Sequence, residues 1–255
     1  MIDVHCHLLP GIDDGSKSLD ISLQLARDAV ADGITAALMT PHHMNGHYTN
    51  HRDDVIKATQ DFQLALNDAQ IPLTVFPSQE VRITGKLLEA LDQHDILTTD
   101  ETGHYILIEF PSNDVPTFSK DVLYEVQQRG ITPIIVHPER NTRLMAKPDI
   151  LYDFIDRGAY AQVTASSYVG TFGKAVQKFS DDIVRSGLAH LFASDAHHLP
   201  GRTYEMSAAF ERLAQQMGDD YVVIYQENAR ALVNGDALTP FEAVPIKKKR
   251  FFSAY

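Results

Sequence analysis

The feature that most constrains this chain is a regular alternation of short apolar runs with helical stretches. Ile2–His5, Ile34–Thr40, Leu73–Phe76, Tyr105–Phe110, Thr132–Val136, Tyr160–Thr164 and Leu188–Ala193 read as strands. Between the first two, Leu19–Ala31 sets Leu19, Leu23, Ala26 and Val30 at helical spacing and stops at Asp32-Gly33. Further helices are expected over Arg52–Ala69, Lys86–Asp92, Asp121–Arg129, Asp149–Arg157, Lys174–Ser186 and Thr203–Met217, with short helical pieces around Asp219–Val233. Strands joined by crossovers of this length pair in parallel. Runs apolar on both faces suit a sheet covered on both sides. The pattern fits one α/β domain over residues 1–240, a distorted (β/α)7 barrel related to the eight-stranded TIM form. Alternation alone leaves an open doubly wound sheet as the alternative.

Composition narrows the setting. The chain has 255 residues, enough for one large domain with a substantial core. Its one cysteine, Cys6, excludes an internal disulfide framework and fits a reducing cytosol. No apolar run is long enough to cross a bilayer, and the N-terminus lacks a basic, apolar leader. A cytoplasmic location is therefore expected. With 22 basic and 34 acidic residues the net charge is −12. That argues against a general nucleic-acid-binding surface while leaving room for a local cationic pocket. The C-terminal stretch 241–255, ending VPIKKKRFFSAY, breaks the acidic trend. Its basic run before two phenylalanines suits weak contact with an anionic membrane surface, set against the plainer reading of a solvated tail.

Polar residues gather where the apolar runs end. His5 and His7 close the first, and His42 and His43 follow the second in LMTPHH. Glu80 follows the third, Glu109 ends the fourth in YILIEF, His137 ends the fifth in PIIVHPER, and Asp195 and His197 follow the last in LFASDAHH. Only Tyr160–Thr164 delivers no His, Asp or Glu. On a strand residues i and i+2 share a face, so His5 and His7 project side by side with Val4 and Cys6 turned the other way. In parallel barrels the C-terminal rim of the strands is where active sites are built. A lone histidine after a strand is ordinarily a loop residue; the combination carries the signal. Histidines mixed with carboxylates suit Mn, Fe, Zn or Co better than Ca or Mg. The set exceeds what one ion takes, so two or three ions sharing a bridging carboxylate are expected. Such clusters activate water and clamp both oxygens of an in-line displacement at phosphorus. His43, His47, His51, His94, His104, His190 and His198 are read as surface or structural.

H5-C-H7, TPH42, E80, H137-P-E-R140 and S-D195-A-H197 resemble the four motifs of the polymerase and histidinol phosphatase (PHP) superfamily. The opening I-D-x-H-x-H with its D-D-G, the I-E-F strand end and the S-D-x-H…G-R segment are similar, more closely, to the bacterial PHP-type tyrosine-protein phosphatases of capsule and exopolysaccharide operons. The resemblance runs from residue 1 to about 235. It implies a seven-stranded distorted barrel with a trinuclear site, often holding manganese. His5, His7, Glu80 and Asp195 would hold one ion, and Glu80 would bridge to a second held by Glu109 and His137. Asp14, His42 and His197 would hold the third. Arg140 and Arg202 are marked as phosphate-binding, which fits the match of a guanidinium to phosphate oxygens. Gly15 and Gly201 would supply loop conformations that side chains obstruct.

The implied reaction is phosphotyrosine hydrolysis by a metal-activated hydroxide, with Arg140 and Arg202 neutralising charge on the transferring oxygens. The leaving phenolate, with an intrinsic pKa of roughly 10, needs little protonation. The implied partner is a phosphotyrosine protein, an autophosphorylating bacterial tyrosine kinase that regulates capsule or exopolysaccharide synthesis. A cysteine-dependent phosphatase is excluded by spacing, because the arginine position of an H-C-x5-R loop is Ile12 here. A zinc amidohydrolase, which usually has a longer chain, is disfavoured by length, although Glu109 on the fourth strand keeps that reading open. The remaining alternatives are another PHP phosphoesterase, acting on histidinol phosphate or nucleotides, and a non-catalytic metal-binding regulatory protein.

Overall fold

The computed structural model describes residues 1–198 and 202–247. Gly201 and the basic run from Lys248 onward lie outside the described residues. Nine strand segments are present among the described residues: β1 (Ile2–Cys6), β2 (Ala36–Met39), β3 (His42–His43), β4 (Thr74–Pro77), β5 (Glu80–Arg82), β6 (Tyr105–Glu109), β7 (Thr132–Val136), β8 (Tyr160–Thr164) and β9 (Leu191–Ala193). All pair in parallel, in the orders β1-β2-β4 and β3-β5-β6-β7-β8-β9. The two sheets are one run of strands. β2 and β3 are a single line of chain broken at Thr40 and Pro41, where proline cannot donate to the ladder. β4 and β5 are a second line, broken at Ser78 and Gln79. Pairing continues through the gaps: Ser78 N donates to Met39 O at 2.9 Å and Glu80 N to Pro41 O at 3.1 Å. Seven strand positions result from nine segments less two breaks.

The last position meets the first. Asp195 N donates to His5 O at 2.8 Å and His7 N to Ala196 O at 3.1 Å, with a parallel bridge between Cys6 and Ala196. The fold is the expected distorted, TIM-like α/β barrel. Helices fill the crossovers: α1 (Leu19–Ala31), α2 (Arg52–Asp68), α3 (Leu87–Asp92), α4 (Ser119–Gln128), α5 (Thr142–Ala146), α6 (Asp149–Asp156), α7 (Ala165–Val169), α8 (Lys174–Arg185), α9 (Met206–Met217) and α10 (Asp219–Asn234). A 3-10 turn occupies Pro138–Arg140.

Alternation sorts the apolar residues into two layers. Ile106 and Ile108 of β6, Ile135 of β7 and Ala161 and Val163 of β8 pack outward with helix residues such as Leu25, Val126 and Ile183. Tyr105, Leu107, Ile134, Val136, Leu191 and Ala193 point inward to a smaller cluster closed by Ala229 and Leu232 of α10. Each fully buried aliphatic side chain contributes about 2 kcal/mol. The inner cluster fills one end of the barrel and leaves the C-terminal ends of the strands to polar residues.

Two expectations shift. Val4 lies in the inner cluster while Cys6 lies in the outer one. They do not share a face, because the β1–β2 register slips between Asp3 and Cys6. Element starts also move inward for a hydrogen-bonding reason. Leu188 N closes α8 on Ile183 O, so β9 begins only at Leu191. α9 begins at Met206, whose N–H is capped by Asp32 Oδ2 at 2.7 Å.

Candidate active site

The strand ends and the loops that follow them bring all nine expected ligand residues into one cluster. Of these, Asp14, His42, Glu80, Glu109, His137 and Asp195 line a cavity, and His5, His7 and His197 are buried behind it. His5 Nε2 and His7 Nε2 stand 3.1 Å apart, and Glu80 Oε2 lies 3.4 Å from each. Asp195 Oδ1 lies 3.6 Å from His5 Nε2 and 3.4 Å from His7 Nε2. Glu80 Oε1 lies 2.6 Å from His137 Nε2, and its Oε2 lies 2.7 Å from His42 Nδ1. Glu109 Oε2 is 3.7 Å from the same His42 nitrogen. Asp14 Oδ1 reaches His42 Nε2 at 3.3 Å and His197 Nε2 at 3.5 Å. Three groups hold their ligand atoms within 4.8 Å of one another: His5–His7–Glu80, His42–Glu80–Glu109 and His7–Asp14–His42–His197. Glu80 belongs to two of them, as a bridging carboxylate must. His137 (φ 34°) and Asp195 (φ 48°) take left-handed backbone conformations, a strain of about 1–2 kcal/mol each for a residue with a Cβ.

The donor set suits divalent cations. His42 Nδ1, Glu80 Oε2 and His197 Nε2 are buried with no hydrogen-bond partner among the described residues. The first two are 2.7 Å apart yet lack hydrogen-bond geometry. Burial and the neighbouring Glu80 charge push the Glu109 carboxyl up to about 7. Against burial, which would raise it, His42 and His5 hold Glu80 well below the usual carboxylate range. Acids crowded this closely want a shared cation.

The arginines approach from the other side of Asp195. Its Oδ2 accepts from Arg140 Nη2 and, at 2.8 Å, from Arg202 Nη2. Burial would raise the Asp195 carboxyl, but the two guanidiniums keep it well below the ordinary range. The Nε atoms of Arg140 and Arg202 are buried and lack partners among the described residues. Two cationic donors therefore face a cavity of about 390 Å³, which Tyr48 and Phe110 also line.

Several supporting residues escape a reading of strand ends. Asp13 Oδ2 accepts from His7 Nδ1 at 2.7 Å and Asp13 Oδ1 from Gly15 N at 2.9 Å. Gln162, fully buried on the one strand without a His, Asp or Glu at its end, accepts from His5 Nδ1 at 3.0 Å. Arg82 Nε donates to Glu109 Oε2 at 2.8 Å. Such outer partners fix the tautomer and aim of a metal-binding ring. The family resemblance singles out Asp14 of the D-D-G segment as a ligand and gives its neighbour Asp13 no role.

Residues 1–234, from β1 through α10, match the family described as capsular polysaccharide synthesis, CpsB/CapC. The chain belongs to the CpsB/CapC family. Tyrosine-protein phosphatase YwqE of Bacillus subtilis (strain 168) is 37% identical over 255 residues, covering 100% of both chains. Tyrosine-protein phosphatase CpsB of Streptococcus agalactiae serotype V is 27% identical over 245 residues, 91% of this chain and 98% of the relative. A solved structure described as one of the "unique metal-dependent tyrosine phosphatases" YwqE from Bacillus subtilis and CpsB from Streptococcus pneumoniae superposes with a TM-score of 0.92. It is 37% identical and covers 97% of this chain and 100% of that one. Organophosphorus hydrolase from Deinococcus radiodurans, 12% identical with a TM-score of 0.58, shares the fold alone. The expected resemblance to capsule-operon phosphatases is borne out. The CpsB/CapC chain gathers its candidate metal-binding side chains in one cluster, and no helix among the described residues is long and apolar enough to cross a membrane.

Proposed function

We propose that this CpsB/CapC chain is a metal-dependent protein-tyrosine phosphatase. The observation that carries the reading is the convergence of three ligand groups on Glu80 and His42 beside two arginines that share Asp195. His5, His7, Asp14, His42, Glu80, Glu109, His137, Asp195 and His197 would hold two or three ions; the family resemblance points to manganese, and Fe, Zn or Co suit the same donors. Ions bound there supply Lewis acidity and a water activated at neutral pH.

The chain's own residues do the rest. Asp195, kept ionised, holds Arg140 and Arg202 along one edge and leaves further N–H groups open to phosphoryl oxygens. Those fixed donors meet negative charge as it develops on the transferring group, without reorganisation at the moment of reaction. Tyr48, Phe110, Val136 and Pro138 give a phenyl ring apolar wall on a cavity otherwise polar. A phenolate leaves readily, its conjugate acid having a pKa of roughly 10. The substrate is a phosphotyrosine protein, and the partner is a bacterial autophosphorylating tyrosine kinase of capsule or exopolysaccharide synthesis.

The test compares turnover of a phosphotyrosine peptide, histidinol phosphate and nucleotides by protein supplied with Mn²⁺. Hydrolysis of the peptide well ahead of the others, abolished by a chelator, is expected. A preference for histidinol phosphate or nucleotides reassigns the substrate. Full metal occupancy with no turnover on any of them leaves a binding protein instead.

A further inference from the structure

Of the H-P-E-R segment, the proposed chemistry uses only His137 and Arg140. Glu139, between them, is fully buried. Its Oε1 accepts from Thr164 N at 3.1 Å and from Ser167 Oγ at 2.7 Å, tying the turn to the end of β8 and the first turns of α7. On the opposite flank Asn141 Nδ2 donates to Pro111 O at 2.7 Å and Asp114 O at 2.9 Å, after β6. The turn is thus braced on both neighbouring strand ends. A second contact comes from farther along the chain: the Arg140 guanidinium lies over the Phe172 ring, 5.6 Å from its centroid.

We infer that Glu139 and Phe172 are positioning residues that aim the Arg140 guanidinium at a phosphoryl group. The inference rests on the phosphate-binding reading of Arg140 and adds how that group is held. A ring takes a guanidinium by its face, which leaves the in-plane N–H groups free. One of those groups is fixed on Asp195, so the face and one edge are set and the remaining edge is presented to the cavity. Glu139 does the same for the backbone from which Arg140 springs. Neither residue touches the nine ligand side chains through a hydrogen bond given above, so aiming and metal binding separate experimentally.

The experiment titrates Mn²⁺-loaded protein calorimetrically with inorganic phosphate and measures kcat and KM on a phosphotyrosine peptide. Phe172→Leu, which keeps bulk and loses the ring, should weaken phosphate binding about fivefold with manganese content unchanged. The same change in an Arg140→Ala background should do nothing further. Glu139→Ala should weaken phosphate about tenfold, and Glu139→Gln, which keeps an acceptor oxygen, should recover most of it. In each case KM should rise more than kcat falls. Phosphate affinities equal to wild type in both Phe172→Leu and Glu139→Ala would overturn the inference. So would an undiminished Phe172→Leu effect without Arg140, or a Glu139→Ala loss that follows manganese loss in proportion. If Glu139→Ala does not fold, the Phe172→Leu pair decides. Phosphate binding by wild type with no turnover would sink the phosphatase reading and leave the aiming role standing.

Discussion

Asp13 and Asp14 are sequence neighbours with different work. Asp14, half exposed, lies within 3.5 Å of His42 Nε2 and His197 Nε2. Asp13 turns inward and accepts a hydrogen bond from His7 Nδ1–H, which leaves the Nε2 lone pair facing Glu80 and Asp195. Replacing Asp13 by Asn should therefore lower manganese affinity by about 10–100-fold. Calorimetric metal titration checks this, and an unaltered affinity would remove Asp13 from the site's support. Cys6 makes the contrasting case. Burial lifts its thiol well above the usual range, and its S–H donates to Leu38 O at 3.3 Å on the face away from the histidines. A serine hydroxyl can make the same bond, so Cys6→Ser should keep activity on an aryl phosphate within about threefold. A loss as large as that of Glu80→Gln would mean that sulfur takes part in the reaction.

Elements place these residues, and the loop after β1 shows how tightly. Ser16 N donates to His7 O at 3.2 Å and Gly11 N to Ser16 O at 2.7 Å, folding residues 7–16 back on themselves. A Cβ on Gly15 would sit 2.2 Å from His7 O and 2.5 Å from His7 Cβ. Gly15→Ala must push against the backbone of a ligand residue, at a cost of about 1–3 kcal/mol. The expected result is a melting temperature lower by several degrees together with weakened manganese binding; wild-type metal affinity in that variant would show the loop to be slack. The same scale explains what the sequence disclosed. Strands buried on both faces are continuous apolar runs, and a polar residue that ends such a run stands out. That made the rim readable from His5 to His197. Gln162 ends no run and differs from ordinary strand polarity only through His5, a partner 157 positions away. Glu139 and Arg82 are equally silent until β8 and β6 lie beside them. The slip in β1 depends on pairing with β2, which no local pattern encodes.

At the scale of the whole molecule the barrel is charged at one end and sealed at the other, and the sealed end carries a histidine of its own. His190 is buried between β8 and β9. Its Nδ1 accepts from Ala161 N at 3.4 Å, its ring meets Tyr160 edge-on at 4.6 Å, and Asn228 of α10 donates to its carbonyl at 3.1 Å. Burial pushes the imidazole down to about 3 from its ordinary 6.5, so the folded protein keeps it neutral where the unfolded chain protonates it. Between those two values the unfolded state binds the extra proton, and stability must rise with pH across that window and fall as acid is added. One such proton is worth about 1.4 kcal/mol per pH unit, against a total stability of roughly 5–15 kcal/mol. Asp3, raised by burial to about 6, titrates in part of the same window with the opposite sign, and the metal ligands titrate there too. The informative quantity is therefore the difference between wild type and His190→Asn in urea unfolding at each pH. That difference should move in favour of the variant by about 2 kcal/mol between pH 6.5 and 5. A difference that stays constant over the range would mean that the sealed end admits a proton without opening, and that the packing of α10 and Phe241 against His190 is looser than these contacts imply.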